Sequence, residues 1–131
     1  MTTACDLAAW MRQELSRSAP NVDFLIRAII KATDDWVRDG DNGDSFSAAP
    51  GSVGQETWDA LLEGVVAYRA NLLGVPRPEW TRTHELSIGW NPYDKTDHPP
   101  SPEYALLSVL DTPVEILDKG IILSQRNFDL T

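Results

Sequence analysis

The sequence predicts a mainly α-helical chain, a compact bundle of about three longer helices and two short C-terminal ones. An irregular proline- and tryptophan-rich segment crosses it, and there is room for one or two short strands. Three observations lead there: apolar residues recur at helical spacing in three long windows, capping residues and breakers bound those windows, and six prolines between residues 75 and 102 stop any continuation. The 131 residues, 42% of them hydrophobic and 24% charged, suit a single domain with one core.

Thr3 and Asp6 fit a capping box, and Leu7, Trp10, Met11 and Leu15 follow on one helical face before Ser18-Ala19-Pro20 breaks it. A second helix runs from an Asn21 cap to about Arg38. It carries two stripes, Leu25, Ala28, Ile29, Ala32 and Trp36 beside Val22, Ile26, Ile30 and Val37. An apolar surface that wide points to a helix covered on more than one side, at the centre of the core. Residues 39–53, dense in Asp, Gly and Ser, read as a mobile acidic loop.

Ser52 and Gln55 offer another capping box ahead of Trp58, Leu61, Leu62, Val65, Tyr68 and Leu72, and Gly74 is placed to end that helix in a left-handed cap. The interior Gly64 costs about 0.5–1 kcal/mol relative to Ala, for which close helix packing is a sufficient reason. Residues 75–101 form the irregular crossing segment, with a short strand expected at Leu86-Ser87-Ile88. Its Trp80, Trp90 and Tyr93 imply that it packs on something. Ser101-Pro102-Glu103 and Thr112-Pro113-Val114-Glu115 each read as a helix start, with Thr112 as cap and Glu115 in the first turn. Asp118-Lys119-Gly120 ends the second, and Ile121-Ile122-Leu123 reads as a short buried strand or an extended segment on the helices.

Twenty acidic and eleven basic residues give a formal net charge of −9. Nucleic-acid binding relies on Lys and Arg displacing counterions, so this field is the wrong one for that job. It favours a basic partner, or simply keeps the chain soluble. Cys5 stands alone, so no internal disulfide can form. No basic stretch followed by an apolar run opens the chain, and no window reaches the roughly 20 apolar residues that span a bilayer. A soluble, cytoplasmic protein is expected.

Chemistry-bearing patterns are scarce. Cys5, His84 and His98 lack the paired spacing of a zinc site, and the two histidines read as solvated loop residues. Asp39, Asp41 and Asp44 echo the start of a calcium loop, but counting from Asp39 puts Asp44 where a glycine belongs and Pro50 where a bidentate glutamate belongs. There is no nucleophile elbow and no phosphate-cradling glycine loop. Glu79, Glu85, Asp94 and Asp97 are scattered carboxylates of the kind any acidic chain carries. The expectation is no enzyme, no catalytic residue, no cofactor and no metal. Trp10, Trp36 and Trp58 fall on apolar helical faces and belong in the core, whereas Trp80 and Trp90 either anchor the proline-rich segment or line a groove open to a partner.

Trp58-Asp59-Ala60-Leu61-Leu62, Gly74-Val75-Pro76-Arg77-Pro78-Glu79-Trp80-Thr81, Thr112-Pro113 and Lys119-Gly120-Ile121-Ile122-Leu123 occur in that order. This block resembles a group of small helical proteins of actinobacterial type encoded beside nucleotidyltransferase-type toxins, in which it sometimes follows a helix-turn-helix domain. The resemblance implies an antitoxin, or an accessory subunit of a two-gene module, that binds a protein partner. The candidate partner-binding residues are then Trp80, Trp90 and Tyr93 with Asp39, Asp41 and Asp44. The alternative is a homodimer or larger homo-oligomer paired through leftover apolar stripes on the second and third helices.

Overall fold

The computed structural model describes residues 2–39, 44–86, 90–93 and 107–130. The chain is mainly helical, with three long helices: α1 (Ala4–Leu15), α2 (Val22–Asp39) and α3 (Glu56–Leu73). A short helix α4 (Val114–Leu117) follows, and 3₁₀ turns occupy Asp44–Phe46, Glu79–Arg82 and Gln125–Leu130. Residues 107–110 are helical too, while the start expected at Ser101-Pro102-Glu103 lies outside the described residues.

The first two helix starts follow from local chemistry. Thr3 Oγ1 accepts from Asp6 N at 3.1 Å and Asp6 Oδ2 accepts from Thr3 N at 3.2 Å, which completes the capping box of α1. Asn21 Oδ1 accepts from Phe24 N at 3.0 Å and opens α2. Leu7, Met11 and Leu15 are buried from α1, and Leu25, Ile26, Ile29, Ile30 and Trp36 from α2. Trp10 sits at the margin of the core, edge-on to Phe24 with ring centroids 5.3 Å apart.

The centre of the bundle is α3, not α2. Every residue from Trp58 to Ala67 is buried, and so are Arg69 and Ala70. Small residues explain how one helix is covered on several sides: Ala60, Gly64, Ala67 and Ala70 let α2, α4 and the Glu79–Arg82 turn approach. At Gly64 an added Cβ would lie 3.2 Å from Ile116 Cα and 3.3 Å from Lys119 Cγ, so α4 rests directly on the α3 backbone. The start of α3 also differs from the expected capping box. Gln55 makes no capping bond, and Asp59 in the first turn holds the approach instead. Its carboxylate accepts from Ser52 Oγ at 2.7 Å and from Val53 N at 2.8 Å. The helix ends as read, at Gly74 with φ 81°, whose N–H donates to Ala70 O at 2.9 Å.

Within the stretch read as an acidic loop, Phe46 and Val53 are buried. Phe46 stacks on Trp36 with centroids 4.8 Å apart and planes at 21°. Arg12 Nε donates to Ser52 O at 3.0 Å, tying the approach to α3 onto α1.

Toward the C-terminus, Thr112 does not cap α4. Its hydroxyl donates to Ser108 O at 2.6 Å and accepts from Leu123 N at 3.1 Å, so it joins two segments in place of ending one. Among the described residues there is no strand. Ile121 makes a single parallel bridge with Trp90, in which Trp90 N donates to Gly120 O and Ile122 N to Trp90 O, both at 2.8 Å. Leu86 N adds a bond to Lys119 O at 2.9 Å, while Ser87 and Ile88 lie outside the described residues. Ile121 and Leu123 point inward and are buried.

Gly120 makes that bridge possible. Its φ is 78°, and a Cβ there would drive into the Leu86 carbonyl oxygen and come within 3.0 Å of Leu86 Cβ. Gly120→Ala is expected to lower stability by at least about 2 kcal/mol, read as a drop in the urea midpoint at unchanged slope. Gly74→Ala, also at positive φ but with nothing within 4 Å, should cost only about 1 kcal/mol.

Candidate protein-binding surface

The three aromatics singled out from the sequence are tied to three different elements. Trp80, in the Glu79–Arg82 turn, donates from Nε1 to Phe46 O at 2.9 Å. Trp90 lies edge-on to Trp58 with ring centroids 5.4 Å apart, and its backbone forms the bridge to Ile121. The Tyr93 hydroxyl donates to Asp23 Oδ1 at 3.2 Å at the start of α2. Burial, and then the neighbouring Asp23 carboxylate, push the Tyr93 pKa up to about 12. These contacts fasten the proline-rich segment to the body. Asp39 ends α2 and Asp44 opens a 3₁₀ turn, but the side chains of both, and all of Asp41, lie outside the described residues.

A different set of side chains faces solvent. Leu107, Leu110, Val114 and Leu117 are 61%, 73%, 64% and 38% exposed, although all four are apolar and fall within eleven consecutive residues. Leu107 and Leu110 share one helical turn and Val114 and Leu117 another, with residues 111–113 breaking the helix between them. The intervening Ser108, Thr112 and Ile116 are buried. Ile116 is the residue that meets Gly64, so seating α4 on α3 turns Val114 and Leu117 outward. An exposed apolar cluster marks an interaction surface more often than scattered single residues do.

Carboxylates rim this row. Glu115 accepts from Asn71 Nδ2 at 2.8 Å, and Asp118 follows Leu117 directly. Asp111 accepts from Ser124 Oγ and stands 4.0 Å from Arg126 Nε, a largely exposed cation. Leu107 and Leu110, with Asp111, Ser124 and Arg126, line an open depression of about 280 Å³. Sequence reading missed these residues because the usual pattern is inverted here: Ser108 and Thr112 go inside while Leu107, Leu110, Val114 and Leu117 stay outside, an arrangement only tertiary contacts set.

The strongest polar cluster is internal. Glu63 and Lys119 are 3% and 6% exposed, and Lys119 Nζ donates to Glu63 Oε1 at 2.8 Å and to His84 O at 2.7 Å. Thr83 N and His84 N each donate to the same Oε1 at 2.9 Å, and His84 Nδ1 contacts Oε2. Burial works against the Glu63 charge, but the bonds from Lys119 and His84 and the Lys119 charge outweigh it and hold the carboxyl below its usual range. His84 is therefore half-buried and partnered, not the solvated loop residue its sequence context suggests. With four donors on its two oxygens, Glu63 acts as a staple joining α3, residues 83–84 and residue 119. Arg69 is a second buried charge, 5.0 Å above the Phe128 ring, with Nε donating to Thr33 Oγ1 at 3.3 Å. Burial, opposed chiefly by Asp34, lowers its pKa.

Among the described residues no group of three or more His, Cys, Asp or Glu is placed to hold a metal ion, and no helix is long and apolar enough to cross a membrane. No protein-family model, no curated protein and no solved structure matches the chain.

Proposed function

We propose that the chain is a non-catalytic, cytoplasmic protein-binding module, antitoxin-like or accessory to a nucleotidyltransferase-type toxin, that engages a partner more basic than itself. The observation that carries the binding reading is the solvent-facing row Leu107, Leu110, Val114 and Leu117, set among carboxylates on a chain of net charge −9. Apolar side chains supply affinity when a partner covers them, and a one-signed field speeds encounter with the opposite sign. The toxin-linked identity rests on the motif order alone. Self-association is less well supported: the stripes on α2 and α3 are mostly buried inside the chain, with Leu72 left exposed, and a two-fold contact through the exposed leucines would set acidic residues near their own copy.

Co-expression with a nucleotidyltransferase encoded beside this chain tests the proposal. The two should co-purify, and raising salt from about 50 to about 300 mM should slow their association roughly tenfold, because the attraction is screened. Failure to co-purify overturns the toxin-partner identity.

A further inference from the structure

We draw no further inference here: the strongest candidate, the exposed apolar patch of Leu107, Leu110, Val114 and Leu117 on and before α4, carries nothing because nothing in the structure shows what covers it.

Discussion

Replacing Glu63 with alanine is expected to lower the unfolding free energy by about 3–5 kcal/mol, the cost of leaving a buried cation without its partner. Lys119 would keep only the His84 carbonyl, and the amides of Thr83 and His84 would lose their acceptor. Glu63→Gln, which keeps an acceptor but not the charge, should fall between the two. Urea denaturation at neutral pH reads all three proteins, and a loss under about 1 kcal/mol for the alanine variant would show that the staple is not holding the fold. The pH dependence follows from the lowered carboxyl. A group whose folded pKa is depressed contributes stability above its unfolded value and loses it as pH falls through the folded one. The difference between wild type and Glu63→Gln should therefore be full above the ordinary carboxylate value of 4.5 and shrink as pH drops below it.

Trp36→Ala should cost about 3–5 kcal/mol by opening a cavity in the core. Trp36 is fully buried and stacked on Phe46, whose carbonyl in turn holds Trp80 Nε1. The loss should therefore spread to the Asp44–Phe46 turn and the start of the proline-rich segment. Faster amide exchange at residues 44–46 and 79–82, measured beside the thermal midpoint, checks this. Trp36→Phe should be milder, since the indole N–H has no acceptor among the described residues and its removal leaves no new donor unpaired.

What was legible in the sequence was short-range. Thr3 with Asp6, Asn21 and Gly74 mark helix ends because each cap is completed within four residues. Thr112 misled for the opposite reason: its hydroxyl serves Leu123, a contact that only tertiary structure creates. Glu63 reads locally as a charge interrupting an apolar stripe, and its partner Lys119 lies 56 residues away. Trp80 and Trp90 read locally as either anchors or groove; the bond of Trp80 to Phe46 and the contact of Trp90 with Trp58 fasten them to the body. The exposed leucines stayed hidden because Ser108 and Thr112 take the buried positions beside them, which local pattern alone does not predict.

The absent side chain at Gly64 has a mechanical consequence. With Ile116 Cα only 3.2 Å from where a Cβ would stand, α4 has no slack to sink when pressed from outside. A ligand landing on its outer surface meets a plate already backed by the most thoroughly buried of the long helices. Little conformational freedom is left to lose on contact, so differences in grip between related ligands should appear in how slowly they leave.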